Sequence, residues 1–126
     1  MNAVIDSDIL IDVLRQQEKA RHFVETIAKN GSIVYISALT EAEVLSGRDC
    51  KEPEKKEKTE ELLSLFQAVD VTQALARKGA ELRRNHEMPL HDAIIAATAL
   101  EMSAPLYSRN AADFRKIKEL KLVVPY

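Results

Sequence analysis

Carboxylates are the residues of this sequence whose positions could support chemistry. Asp6 and Asp8 come directly after the short apolar run 3–5, separated by one serine. Asp92 precedes an almost wholly apolar stretch, and Asp113 follows another short apolar run that ends in polar residues. Glu43 lies within the segment 37–47. Because carboxylate oxygens are the ligands that Mg²⁺ and Mn²⁺ prefer, a cluster of these acids would form a site for a hard divalent cation.

Each of these acids also fits an ordinary structural role. Asp6 could cap the helix that follows it, although Ser7 is a competing cap that would leave the Asp6 carboxylate free. Asp8 and Asp92 stand in the first turn of predicted helices, where an acidic side chain favours the helix dipole. Asp12 lies one turn beyond Asp8 and is expected to face solvent.

Two glutamates in the segment 37–47 cannot both point toward the interior. Glu41 and Glu43 are two positions apart, which is about 200° around a helix, so they face nearly opposite ways. Glu43 shares its face with Thr40 and Gly47, a small surface suited to packing beside a strand. Glu41 is therefore the residue expected in solvent, and the orientation of Glu43 stays open.

The elements that must position these acids alternate along the chain. Short apolar runs predict strands over 2–5, 32–36, 68–71, 105–107 and 121–124. Helices are predicted from Ser7 to about 15, over 18–29, from about 37 to a C-terminal glycine at 47, from Thr72 to about 86, and from 91 or 92 to 102. This alternation is typical of an α/β fold with a mostly parallel sheet of four to five strands. The 126 residues fit a single domain, 1–126.

Two of the helical segments have contrasting surfaces. The helix over 92–102 is apolar around nearly its whole circumference, which predicts that it is buried. The run 51–61 is densely charged, but it mixes both signs and pairs Glu52 with Lys56 and Glu54 with Lys58 at i, i+4 spacing. Such a pattern is typical of a solvated helix rather than a binding tract.

Three of the acids are predicted to share one edge of the sheet. Asp6 and Asp113 both follow the carboxyl ends of predicted strands, and the start of the buried helix places Asp92 on the same side. Glu43 can reach this edge from its own helix. Two carboxylates about 4 Å apart repel by about 4 kcal/mol at an effective dielectric constant of about 20, so a divalent cation or a proton must offset the repulsion.

Composition excludes several other classes of site. The net charge of −2 gives no general electrostatic footprint for nucleic acid. Cys50 is the single cysteine, and the three histidines lack zinc-ligand spacing. Only three glycines are present, which leaves no glycine-rich phosphate loop. No apolar run is long enough to span a membrane and no secretion signal is evident, so the cytoplasm is the expected compartment.

Four segments in this order resemble the PIN-domain nucleases, and specifically the small VapC-type toxins of toxin–antitoxin pairs. They are Val4 to Asp12, Ser37 to Gly47, Leu90 to Ala99, and Leu106 to Phe114. The resemblance spans nearly the whole chain. It implies a PIN-like, three-layer α/β/α sandwich around the central sheet.

The resemblance also implies a site and a reaction. The acidic metal-binding pocket would consist of Asp6, Glu43, Asp92 and Asp113, with Asp8, Ser108 and Asn110 in supporting positions. Members of the family differ in whether the residue at the position of Asn110 or of Asp113 approaches the metal. With Mg²⁺ or Mn²⁺, such a pocket would hydrolyse RNA, and Arg15, Arg48 and Arg109 could hold phosphates locally. The expected partners are an antitoxin protein and a second copy of the chain in a homodimer.

Two alternatives remain at this stage. The opening Asp6–Ser7–Asp8 also fits a haloacid-dehalogenase-type phosphotransfer domain, in which Asp6 would be the nucleophile and Asp8 the acid/base. Few residues follow Ser108 to complete that machinery. The second alternative is a catalytically degenerate PIN-like domain that only binds a partner chain.

Overall fold

The computed structural model describes residues 2–126 and has a five-stranded, wholly parallel sheet at its centre. The strands are β1 (Asn2–Ile5), β2 (Ile33–Ser37), β3 (Gln67–Val69), β4 (Leu106–Tyr107) and β5 (Leu122–Val123). Their order across the sheet is β3-β2-β1-β4-β5. All five predicted strands are confirmed, with boundaries that differ by at most two residues.

Helices connect the strands along the chain. They are α1 (Ser7–Leu14), α2 (Glu18–Lys29), α3 (Ala38–Leu45), α4 (Pro53–Leu63), α5 (Gln73–His86), α6 (Leu90–Glu101) and α7 (Ala111–Phe114), with a 3₁₀ turn over Arg48–Lys51. The exposed start of α4 confirms the solvated helix that the mixed charges predict. Within residues 2–126, no helix has the length and apolarity needed to cross a membrane.

The predicted three-layer α/β/α sandwich is confirmed by the two cores that flank the sheet. Along β1, Val4 packs with residues of α5, α6 and α7, while Ile5 packs with residues of α1 to α4. Along β4, Leu106 and Tyr107 divide between the same two cores. This alternation follows from strand geometry, in which successive side chains point to opposite faces of the sheet.

Helix α6 lies in the interior, as its all-round apolarity predicts. Six of its residues are buried, namely Ala93, Ile95, Ala96, Ala97, Thr98 and Ala99. Its contact with α5 is close, because a Cβ added at Gly79 would lie 2.8 Å from Cγ1 of Ile94. The small residues of both helices thus fix the position of the α6 N-terminus, which carries Asp92.

Two predicted helix ends are wrong in detail. The N-cap of α1 is Asp6 and not Ser7, since the Asp6 carboxylate accepts a hydrogen bond from the Ser7 amide. Helix α3 ends at Leu45, and Gly47 has a φ of −64°, so it is not a left-handed C-terminal glycine. It begins the 3₁₀ turn instead.

Candidate functional site

The candidate site lies at the carboxyl edge of the sheet, where the direction of chain progression reverses. From β1 the chain proceeds to β2 and β3 on one side, and β4 and β5 then fill the other side. Such a reversal leaves a crevice outside the strand ends, which is the usual ligand site of open α/β sheets. Asp6 directly follows β1 and Ser108 directly follows β4, so both residues border this crevice.

Asp6 is held on both of its carboxylate oxygens. Oδ1 accepts the Ser7 amide at 2.8 Å, and Oδ2 accepts the Ser108 hydroxyl at 2.8 Å. Asp6 is only 4 % exposed. Burial raises the pKa of this carboxyl to about 6, and the charge of Asp8 adds to the increase. Asp6 therefore caps α1 and borders the crevice at the same time, two roles that the sequence presented as alternatives.

Asp8 has one oxygen that is well bonded and one that is not. Its Oδ2 accepts the Arg109 amide at 2.9 Å and lies 3.3 Å from the Ser108 hydroxyl. Its Oδ1 is buried and has no hydrogen-bond partner within residues 2–126. Burial also raises the pKa of Asp8. Since an unpartnered buried carboxylate oxygen is costly, this atom is open to a cation or a proton.

Asp92 closes the crevice from the side of α6. Its Oδ2 accepts the side-chain amide of Asn110 at 3.2 Å, and its Oδ1 lies 3.4 Å from Nδ1 of His91. The negative charge of Asp92 contributes to the raised pKa of Asp6, so the two carboxylates are electrostatically coupled. The structure thus brings Asp6, Asp8 and Asp92 to one crevice.

Glu43 reaches the crevice through His91. Its Oε2 lies 2.5 Å from Nε2 of His91, although the two groups do not meet hydrogen-bond geometry. The hydrogen bond to Asp92 raises the pKa of His91, and the charges of Glu43 and Asp6 act in the same direction. The prediction that Glu41 faces solvent is wrong, because Glu41 is half-buried. The orientation of Glu43 was left open, and its side chain is 39 % exposed.

Asp113 follows β4 in the first turn of α7, as predicted, but its contacts lie elsewhere. Its Oδ1 pairs with Nζ of Lys116 at 3.2 Å. The polar residue of this segment that contacts the other acids is Asn110. Across residues 2–126, no three His, Cys, Asp or Glu side chains are grouped closely enough to ligate one ion. The four-acid ligand set therefore stays a prediction.

Sequence reasoning missed His91 as a member of the site. It bridges Glu43 and Asp92, and the available signal was its position beside Asp92 at the start of a buried helix. Asp12 is not in solvent as expected, since its side chain is only 18 % exposed. Asp12 accepts hydrogen bonds from Arg109 at 2.9 Å and from the Tyr126 hydroxyl at 2.7 Å.

The donors of the crevice fit a hard divalent cation. The acidic ligands are all oxygen atoms, and Mg²⁺ and Mn²⁺ prefer oxygen over nitrogen or sulfur. Asp6 and Asp8 both contact the Ser108 hydroxyl and are therefore close together. Their burial and proximity disfavour two negative charges unless a cation offsets them. Oδ1 of Asp8, which has no hydrogen-bond partner within residues 2–126, is a further carboxylate oxygen available to such a cation.

Comparison with known proteins agrees with this fold. A family model described as the PIN domain matches residues 3–120. The chain belongs to the PIN-domain family. This PIN domain is also 31 % identical over 123 residues to Ribonuclease VapC10 of Mycobacterium tuberculosis, covering 94 % of the chain and 90 % of that protein. It is therefore a member of the VapC ribonucleases.

Other relatives support the same assignment. Ribonuclease VapC19 of Mycobacterium tuberculosis is 29 % identical over 126 residues, covering 94 % of this PIN domain and 96 % of VapC19. A toxin–antitoxin complex from Klebsiella pneumoniae contains a chain with 32 % identity and a TM-score of 0.84, with 98 % of both chains covered. VapBC2 from Rickettsia felis, bound to a promoter DNA fragment, shares the fold at a TM-score of 0.83 and 23 % identity, with 98 % of both chains covered.

The resemblance seen in the sequence is thus confirmed, and one alternative is removed. A PIN-domain match over 3–120 is incompatible with a haloacid-dehalogenase-type phosphotransfer domain. The Asp6–Ser7–Asp8 opening that both families share is therefore not diagnostic by itself.

Proposed function

We propose that this PIN domain is the endoribonuclease toxin of a toxin–antitoxin pair and that it hydrolyses RNA phosphodiester bonds with Mg²⁺ or Mn²⁺. The observation that carries the metal dependence is the buried carboxylate pair of Asp6 and Asp8, in which Oδ1 of Asp8 has no partner within residues 2–126. Family membership carries the reaction type.

We propose Asp6, Glu43, Asp92 and Asp113 as the residues that hold the ion. Asp6 and Asp92 already face one crevice, and Glu43 lies one side chain away across His91. Asp113 would have to leave Lys116 to join them. When bound, the ion would polarise the phosphodiester and lower the pKa of the attacking water.

The remaining residues of the site position these ligands. Ser108 donates to Asp6 and thereby fixes the plane of its carboxylate, while Asn110 does the same for Asp92. Asp8 is held by the Arg109 amide through Oδ2, and its Oδ1 stays without a partner within residues 2–126. His91 can hold a proton between Glu43 and Asp92, which reduces their repulsion while no cation is present.

The partners follow from the relatives. The structure from Klebsiella pneumoniae is a toxin–antitoxin complex, and we propose that an antitoxin likewise binds this chain. We also propose that the chain forms a homodimer, which light scattering of the purified protein would test. An enzyme that hydrolyses cellular RNA meets that substrate in the cytoplasm, which we propose as its compartment.

A cleavage assay with fluorescent single-stranded RNA tests the proposal. The purified chain should cleave RNA in Mg²⁺ or Mn²⁺ and lose this activity in EDTA. Asp92→Asn should fold normally but cleave about 10³-fold more slowly, because removing a ligand forfeits several kcal/mol of transition-state stabilisation. Asp70→Asn, the same change at an exposed acid near the same sheet edge, is the control.

Two outcomes would contradict the proposal. An Asp92→Asn variant with full activity would refute the ligand assignment. A folded wild-type chain that binds Mn²⁺ but never cleaves RNA would favour the degenerate, partner-binding alternative.

A further inference from the structure

A cavity of about 520 Å³ opens between α1, α3, the 3₁₀ turn and α4, next to the acidic crevice. Its volume lies within the range of ordinary small-molecule sites, about 300–1,000 Å³. Glu43 belongs to both places, since it lines the cavity and also contacts His91 of the crevice. A molecule seated in the cavity would therefore border the proposed metal ligands.

The cavity is positively charged although the chain as a whole is acidic. Its lining contains the basic side chains of Arg15, Arg48, Lys55 and Lys58, against the acidic side chains of Glu43 and Asp49. The net charge of the whole chain is −2. The cations are thus concentrated where the proposed substrate must approach, and this local cluster supplies the attraction that the overall composition lacks.

Three of these cations are free to bind an anion. Arg15, Arg48 and Lys58 are exposed and form no ion pair with any residue in the 2–126 range. Lys55 differs, because it pairs with Glu52 at 2.9 Å and lies 3.8 Å from Asp49. The same Lys55 also offsets the charge of Asp49 inside the cavity.

Part of the cavity lining is apolar. It is formed by Ile11 and Leu14 of α1 and by Val44 of α3. A cavity lined by exposed cations and by less exposed aliphatic side chains matches a nucleotide, which combines a charged phosphate with a flat base. Helix α1 connects the two places, because Asp8 and Arg15 are about 10 Å apart along its axis.

We propose that this cavity binds a nucleotide of the RNA substrate adjacent to the scissile bond, with Arg15, Arg48 and Lys58 on its phosphates and the α1–α3 wall against its base. This inference rests on the proposed ribonuclease function. It assigns a path to the substrate strand. The strand leaves the acidic crevice past Glu43 and follows α1 toward the 3₁₀ turn.

A matched pair of double variants tests the proposal. The pocket pair, Arg48→Gln with Lys58→Gln, removes two cavity cations. The control pair, Lys51→Gln with Lys56→Gln, removes the same charge from the same 3₁₀ turn and the same helix, at exposed positions outside the cavity. All four residues are exposed, so both variants should fold as the wild type does.

RNA affinity is measured by fluorescence anisotropy with a labelled single-stranded RNA, in the Asp92→Asn background so that nothing is cleaved. The pocket pair should raise Kd about tenfold and flatten the slope of log K against log salt by about 1.4, since each lost phosphate contact on a single strand contributes about 0.7. The control pair should change Kd less than about twofold and leave the slope unchanged. In the active background, the pocket pair should raise KM and leave kcat within about twofold.

Equal effects of the two pairs, or a loss confined to kcat, would overturn the proposal, as would a wild-type chain that binds no RNA. If the pocket pair binds RNA as tightly as the wild type, the proposal is also overturned, and a segment of a protein partner becomes the favoured occupant of the cavity. The nucleotide-site proposal and the ribonuclease proposal can fail separately. If the pocket pair alone loses RNA affinity and neither the wild type nor any variant cleaves RNA, the nucleotide site is supported and the reaction is refuted. If the chain cleaves RNA and the pocket pair changes neither KM nor kcat, the reaction is supported and the nucleotide site is refuted.

Discussion

Asp6 and Ser108 are joined by a buried hydrogen bond at the ends of neighbouring strands, whereas Glu43 and His91 meet at a partly exposed gap between two helices. In the strand-end half, defined by Asp6, Asp8 and Ser108, nearly every polar atom has a fixed partner. In the helix half, defined by Glu43, His91 and Asp92, contacts are longer or poorly aligned. In the strand-end half, the positions of the polar groups are fixed by neighbouring strands of the sheet. In the helix half, they depend on the positive charge that lies between Glu43 and Asp92.

The largest expected effect concerns the buried charge of the strand-end half. The pKa of Asp6 is raised from 3.8 to about 6, so the folded state binds a proton that the unfolded state releases. The stabilising effect of this proton is complete below about pH 4 and is lost as the pH rises through 6. The loss totals about 3 kcal/mol, since one pKa unit corresponds to about 1.4 kcal/mol. Asp6→Asn should remove this pH dependence.

Urea unfolding in EDTA at several pH values measures this difference. Between about pH 4.5 and pH 7.5, the wild type should lose about 2 kcal/mol more unfolding free energy than Asp6→Asn. Saturating Mn²⁺ should restore stability to the wild type at the higher pH, because an ion that binds only the folded state stabilises it. Parallel pH profiles for wild type and variant, with Asp70→Asn as the reference, would contradict the raised pKa.

A smaller loss is expected when the hydroxyl of the strand-end half is removed. Ser108→Ala leaves the buried Oδ2 of Asp6 without its donor and removes one of the two donors to Oδ2 of Asp8. This loss should cost about 2 kcal/mol of unfolding free energy above pH 7. Cleavage should fall as well, because Asp6 loses its fixed orientation. Ser64→Ala, at an exposed serine, should cost under about 0.5 kcal/mol in the same denaturation assay.

The smallest effect on stability is expected in the helix half. His91→Gln breaks a partly exposed contact to Glu43 and a long one to Asp92, so the unfolding free energy should change by less than about 1 kcal/mol. His22→Gln, at an exposed histidine of α2, is the control. A loss for His91→Gln as large as that for Ser108→Ala would show that the two halves are equally rigid.

The parts of the molecule that follow from local pattern could be predicted from the sequence. The sequence of β1 is a short apolar run, and that of α6 is apolar all round. Both patterns correctly predicted buried elements. Since Asp6 and Ser108 each follow a strand, their placement at one edge of the sheet could also be predicted. That β1 and β4 are direct neighbours could not, because strand order depends on packing between distant segments.

Side-chain orientation was the weakest part of the prediction. Helical spacing showed that Glu41 and Glu43 point apart, but it could not show which one faces solvent, because that depends on where the α3 axis lies against its neighbours. The contact between Asp12 and Tyr126 joins residues 114 positions apart. No local pattern encodes such a contact, which is why Asp12 was wrongly expected in solvent.

The hydrogen bond between Asp6 and Ser108 spans 102 positions of the chain. During synthesis, the ribosome therefore adds the hydroxyl partner 102 positions after the carboxylate. Until then, β1 lacks its neighbour β4 and the crevice has only one wall. A nascent chain that ends before β4 therefore cannot form the crevice, so the proposed nuclease site becomes complete only after Ser108 has been synthesised.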